Sequence, residues 1–210
     1  MLVLGINTVG NACDAALLDD ARIIASRSEP MEQGHDARLA PLVVELMAQA
    51  GVGVGQLERI AVVVGPGSFA GVRVGVAFAR GLALALEIPV VGVTSLEALG
   101  AGEGRALGVL PAKRRPPEVT WWAQLLENGM GAAAPEEADR HRLAQMAVGA
   151  SAILGGAAAG LQVVSAAPTA INAARFALRF APGAALPPPT PVYARAPDAR
   201  PQAPRPLVQP

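Results

Sequence analysis

Along the first hundred residues, apolar positions come in short runs before they come at helical spacing. Leu2 to Ile6 is one run, Cys13 to Leu18, broken only by Asp14, a second, and Ile23-Ile24-Ala25 after Arg22 a third. They are separated by Asn7-Thr8-Val9-Gly10-Asn11 and by Asp19-Asp20. Runs this short, broken by turn residues, predict three strands in hairpin succession. From Ala37 to Ala50 the period changes: Leu39, Leu42, Val43, Leu46 and Met47 recur three and four apart. That spacing predicts an amphipathic helix, with Pro41 near its start and Gly51, Gly53 and Gly55 ending it. Ile60 to Val64 is apolar throughout and mostly β-branched, the pattern of a buried strand. Gly65-Pro66-Gly67 turns the chain into a second helix, Phe69 to Leu86. Ser68 stands where a hydroxyl accepts from a free first-turn amide.

This second helix is apolar on nearly every side. Arg73 and Arg80 are its only charges, seven residues apart and so on one face. Gly71, Gly75 and Ala79 form a ridge with almost no side chain, and Val72, Val76, Leu82, Ala83 and Leu86 cover the adjoining face. A helix of this kind is expected to be buried on nearly all sides. One side packs on its own sheet, and the other needs a second helix layer or a partner chain. The uncharged run between the arginines falls far short of the roughly 20 residues that span a bilayer, so no membrane partner is expected.

Ile88 to Val93 is the next strand, and Thr94 with Glu97 has the spacing of a capping box. The texture then changes. Gly100-Ala101-Gly102-Glu103-Gly104 is the expected domain boundary, giving an N-terminal domain over 1–104, a second domain over 105–190 and a Pro-rich segment over 191–210. Within the second domain the pattern predicts strands at Arg105–Leu110 and Glu118–Leu126, with a basic loop between them at Pro111–Pro117. A helical stretch at Pro135–Val148 follows, then a loop of small residues from Ser151 to Gly160 and a short strand at Val163-Val164. A last helix runs from Thr169, its cap, to Phe180.

Composition narrows the function. With 52% hydrophobic residues in 210, a core is easily built. Aromatics are only 3%, which argues against a surface that stacks bases. Residues 1–105 carry seven Arg against eleven Asp and Glu, net −4, and residues 106–210 carry ten Lys and Arg against six, net +4. The first half is therefore a poor binder of phosphate backbones. Cys13 is the one cysteine, so no disulfide forms within the chain, and no secretory pattern opens the sequence. A cytoplasmic location is expected.

The strand, Gly-rich turn and helix start around Gly67 and Ser68 make one possible anion cradle. A P-loop needs Lys beside Ser or Thr after its last Gly, which Arg73 does not supply, and Gly65, Gly67 and Gly71 miss the dinucleotide spacing. A tight turn ahead of a packing helix is the competing reading. Ser68 lacks the G-x-S-x-G elbow of a hydrolase nucleophile, and His35 and His141 lie on separate elements. No catalytic residue and no metal ligand is expected.

The run Gly65-Pro66-Gly67-Ser68-Phe69-Ala70-Gly71-Val72-Arg73-Val74-Gly75 resembles the GPGSFTGLRIG signature of the TsaB (YeaZ) family, with Ala70 where Thr is usual. Gly34-His35-Asp36-Ala37-Arg38-Leu39-Ala40-Pro41-Leu42 is similar to that family's H-x-x-x-L-x-P-L run. Pro191-Val192-Tyr193-Ala194-Arg195-Ala196-Pro197-Asp198 is similar to its C-terminal P-x-Y-L-R-x-P-D. The resemblance implies an α/β, actin-like ATPase (ribonuclease H-like) fold in two halves, the second reduced. It implies a non-catalytic subunit, without a cofactor of its own, that activates a TsaD-like catalytic subunit. That subunit transfers a threonylcarbamoyl group to the adenosine 3′ of the anticodon in tRNAs reading codons that start with A. A TsaE-like ATPase joins the complex, tRNA is met only through the complex, and the chain alone forms a homodimer.

The same resemblance implies pairing through the two N-terminal helices, at Leu39, Leu42, Val43, Leu46, Gly71, Val72, Gly75 and Ala79. Asn7, Thr8, Gly67 and Ser68 are the candidates for any nucleotide contact. Family members usually carry an acid where this chain has Asn7, and a hard cation wants that charge. The alternative function is a small-molecule kinase of the same fold, from which Asn7 is the discriminating departure.

Overall fold

The computed structural model describes residues 1–115, 118–158 and 160–193. Its first sheet has five strands, β1 (Leu2–Asn7), β2 (Ala12–Asp19), β3 (Arg22–Pro30), β4 (Arg59–Val63) and β5 (Val90–Val93), in the order β3-β2-β1-β4-β5. β1, β2 and β3 pair antiparallel, and β4 and β5 continue the sheet in parallel. Parallel strands covered on both faces read as continuous apolar runs, and all five residues of β4 are buried.

Helices α1 (His35–Ala50) and α2 (Phe69–Leu86) lie side by side on one face. α4 (Ala170–Ala177) lies on the other. Gly5 and its β4 neighbour Ala61 point toward α4, where a Cβ on Gly5 would stand 2.0 Å from the Ala170 carbonyl. The next pair along, Ile6 and Val62, points toward α2, where Val62 Cγ2 lies against Gly75. Arg59, buried at the start of β4, donates through Nη1 to the carbonyls of Ala177 (2.5 Å) and Phe180 (2.8 Å) and so closes the C-terminal end of α4.

The second sheet, of six strands, repeats the plan with fewer helices. β6 (Arg105–Arg115) and β7 (Glu118–Glu127) pair antiparallel, and β10 (Ala152–Gly155) and β11 (Val164–Ser165) add in parallel on the far side of β6. β8 (Met130–Gly131) and β9 (Glu136–Ala138) both pair with β7. The only helix of this half among the described residues is α3 (Arg140–Met146), and none spans the crossover from β10 to β11. This is an α/β chain built in two halves on two sheets, as expected, the second half carrying fewer helices.

Several local expectations need correction. Residues 111–115 are strand, not loop: the register shifts between Pro111 and Lys113, and an irregularity of that kind lets a strand hold proline. Residues 116 and 117 lie outside the described set. Within the expected helix at 135–148, Glu136–Ala138 instead extends the edge of β7, and Asp139 then caps α3 by accepting from Arg142 N at 2.8 Å. Ala152–Gly155, expected as loop, pairs with β6 through Leu107 and Ile153. The chain also leaves the second half well before residue 190. α4 packs in the first core, and the segment after it runs along the first sheet, Gly92 N donating to Pro187 O at 2.9 Å and Val192 N to Val64 O at 2.7 Å. Most of the Pro-rich segment expected at 191–210 lies outside the described residues.

An ion network ties α1 to β3. Arg38 grips both oxygens of Glu29 at 2.5 Å and both oxygens of Glu45 at 2.8 Å, and Arg27 reaches Glu45 at 2.6 Å. The Arg38 hydrogen bonds hold both carboxyls below their ordinary value of 4.5. A depressed folded pKa adds stability that is present above the ordinary value and is lost as pH falls through the folded one. The melting temperature is therefore expected to drop from about pH 5 to about pH 3. Arg38→Gln should flatten that drop, and an identical acid profile in the variant would contradict the assignment.

The loop after β1 and the helical face

Asn7 ends β1 and is 3% exposed. Its Nδ2 donates to Asp14 Oδ2 at 2.9 Å and to the Pro168 carbonyl at 3.0 Å, and its Oδ1 accepts from Val9 N at 3.2 Å. Ser28 Oγ donates to the other Asp14 oxygen at 2.5 Å, which satisfies that buried carboxylate. Position 7 therefore points donors at two oxygens. An aspartate here would set acceptor against acceptor. A cation would meet an amide NH2 where it needs an oxygen ligand. The residues present do not fit a magnesium-held nucleotide at this position.

The other three candidates gather at the same place, each engaged with Val9 or Gly71. Thr8, fully buried, donates through Oγ1 to Gly71 O at 2.7 Å. Ser68 N donates to Val9 O at 2.9 Å, and Ser68 Oγ caps α2 by accepting from Gly71 N at 3.2 Å. A Cβ on Gly67 would stand 2.6 Å from Val9 O. The loop after β1 and the start of α2 thus close on one another. Among the described residues no group of three His, Cys, Asp or Glu is placed to hold a metal. His35 is buried at the start of α1, and His141 pairs with Gln145 four residues on.

The eight residues expected at a partner interface are all buried within this chain. Leu39, Leu42, Val43 and Leu46 of α1 are at most 4% exposed. On α2, Val72 and Ala79 are at most 1% exposed, and Gly71 and Gly75 are buried. The groove over the glycine ridge is filled by Thr8, whose O and Oγ1 lie 1.9 and 2.5 Å from the Cβ positions of Gly71 and Gly75. The ridge is how α2 reaches its own sheet, so those positions make core.

The outward side of the two helices is nevertheless apolar. On α1 it carries Ala37, Ala40, Val44 and Ala48, with Val44 68% exposed. On α2 it carries Ala70, Ala77, Gly81 and Leu84, with Leu84 81% exposed. Arg73 and Arg80 lie on this same outward side. By length and composition α2 could cross a membrane, but one face of it is packed on the sheet.

At the start of α2 the C-terminal segment meets this face. The Tyr193 and Phe69 rings stand 5.0 Å apart, and the Arg73 guanidinium lies 3.8 Å over Phe69 and donates to the Tyr193 hydroxyl at 3.3 Å. The sequence reading missed this cluster, because its members are 120 residues apart and only the fold brings them together.

Comparison with known proteins agrees with this architecture. A family model described as TsaD, tRNA N6-adenosine threonylcarbamoyltransferase, matches residues 23–109. The tRNA threonylcarbamoyladenosine biosynthesis protein TsaB of Escherichia coli is 35% identical over 135 residues, 62% of this chain and 58% of that protein. The protein of the same name in Bacillus subtilis is 38% identical over 101 residues, 48% of this chain and 44% of that protein. The chain thus spans about half the length of these curated relatives. The solved structure of YeaZ from Pseudomonas aeruginosa superposes with a TM-score of 0.68 at 26% identity, covering 91% of this chain and 99% of that one.

Proposed function

We propose a function from one premise: the chain belongs to the TsaB (YeaZ) family. On this reading it serves the biosynthesis of threonylcarbamoyladenosine in tRNA, the process named for its relatives. Its part is that of a non-catalytic cytoplasmic subunit. It binds and activates a TsaD-like subunit, works in a complex that includes a TsaE-like ATPase, and meets tRNA only through that complex. Alone it pairs with itself.

The observation that carries the reading is the outward face of α1 and α2, where Val44 and Leu84 stand 68% and 81% exposed among small apolar residues. Contiguous apolar surface on a soluble chain marks an interaction site. Helix-on-helix pairing thus stays as the proposal, moved from the core-facing residues to this outer face. The kinase alternative fits less well, because Asn7 offers donors where a kinase of this fold needs an acid.

The test is reconstitution. Purified TsaD-like and TsaE-like subunits of the same organism, with tRNA, ATP and threonylcarbamoyl donor, are expected to form modified adenosine only when this chain is added. The chain alone should turn over no ATP. Equal product without the chain, or magnesium-dependent hydrolysis by the chain that Asn7→Ala abolishes, would overturn the proposal.

A further inference from the structure

We infer that the outer face of α1 and α2 is keyed by charge: Arg73 and Arg80 fit it to a partner helix that carries carboxylates beside an apolar stripe. The inference rests on the proposed pairing with a TsaD-like subunit and adds what that subunit's surface must present. Arg73 and Arg80 are the only charges on α2, and both are exposed. Neither has a carboxylate partner among the described residues. The next helix is different: there Arg38 is held by two carboxylates. Arg73, Ala77, Arg80 and Leu84 follow one another at helical spacing, so an occupant of the apolar stripe covers the guanidiniums as well. A covered charge without a counter-charge opposes binding. Arg73 is also held in place by the Phe69 ring and the Tyr193 hydroxyl, so little freedom is left to lose when a carboxylate meets it.

A second copy of this chain satisfies these groups poorly. No acidic residue occurs from Phe69 to Leu86. An antiparallel two-fold pairing of α2 across Ala77 sets Arg73 against Arg80 of the second copy, twice over. A two-fold pairing across Arg80 sets Arg73 against Glu87 of the second copy but brings the two Arg80 side chains face to face, and the remaining registers set the arginines mainly against apolar side chains. On α1, Glu45 is already held by Arg38 and Arg27, which leaves Asp36 on that helix and Glu87 at the C-cap of α2 as the carboxylates a second copy could offer its two guanidiniums. Self-pairing therefore works against charge repulsion, and pairing with an acid-edged helix works with charge attraction. Salt screens both effects, so the two equilibria respond to it in opposite directions.

The experiment measures both equilibria by sedimentation, the chain alone and with the TsaD-like subunit of its own organism, in about 0.05 M and about 0.5 M NaCl, a range over which the screening length shortens severalfold. The mixed complex is expected to weaken about tenfold as salt rises, while self-association holds or tightens. Arg80→Glu should weaken the mixed complex at least tenfold with an unchanged melt. Arg80→Leu should tighten self-association, an arm that needs no partner. A mixed complex indifferent to salt and to Arg80→Glu would overturn the charge key and leave the pairing standing. The key also falls if Arg80→Leu loosens self-association. Absence of a mixed complex at either salt would overturn the pairing and the key together.

Discussion

Gly71→Ala is expected to destabilise the chain by about 2 kcal/mol or more, although alanine is the better helix former by about 1 kcal/mol. The added Cβ would stand 1.9 Å from the Thr8 carbonyl oxygen, a backbone atom of a fully buried residue. That oxygen cannot swing away as a side chain can. Either α2 lifts from the loop or the loop leaves α2, and both break the bond from Thr8 Oγ1 to Gly71 O. Overpacking of a tight core typically costs about 1–3 kcal/mol, and contact this close sits at the upper end. The same helix holds its own control. A Cβ on Gly81 meets nothing within 4 Å, so Gly81→Ala should stabilise by about 0.5–1 kcal/mol. Urea unfolding midpoints read both. If Gly71→Ala stabilises as Gly81→Ala does, the ridge does not pack on the β1 loop.

The second large effect is on pairing. Leu84→Asp should weaken the complex with a TsaD-like subunit about a hundredfold, and Val44→Asp somewhat less. Burying an exposed leucine contributes about 1.5–3 kcal/mol, and each 1.4 kcal/mol is tenfold in affinity. Aspartate forfeits that gain and adds a carboxylate to be desolvated. Because Leu84 is 81% exposed, the melt should not change. Leu42→Asp separates surface from core: Leu42 is fully buried, so that variant should unfold the chain rather than release its partner. An intact melt for Leu42→Asp would show that α1 is seated differently on the sheet.

The first half of the fold was legible because its signals are local and agree. Short runs gave β1 to β5, helical spacing gave α1 and α2, and the caps at Ser68, Thr94 with Glu97, and Thr169 are all made in the structure. The second half was harder. Strands of two to four residues, such as β8 to β11, carry too few positions for a period, and their pairing comes from neighbours distant in sequence. The orientation of α2 was misjudged for a different reason. Both of its faces are apolar, so hydrophobicity alone does not say which is core. The arginines held that information, since unpaired charges at 73 and 80 mark the solvent side, and the glycine ridge opposite them marks the side of closest approach. At Asn7 the sequence showed that an acid is missing, but the donor role toward Asp14 and Pro168 depends on a contact 161 residues away.

The most direct test of the central claim is the scattering mass of an equimolar mixture of this chain with the TsaD-like subunit of its own organism, run beside the same mixture made with Leu84→Asp. A single heavier species from the unaltered chain is predicted, with the two components separate for Leu84→Asp although its melt is unchanged. A heavier species that persists undiminished in both Leu84→Asp and Val44→Asp would place the interface elsewhere and contradict the assignment of the outer face of α1 and α2.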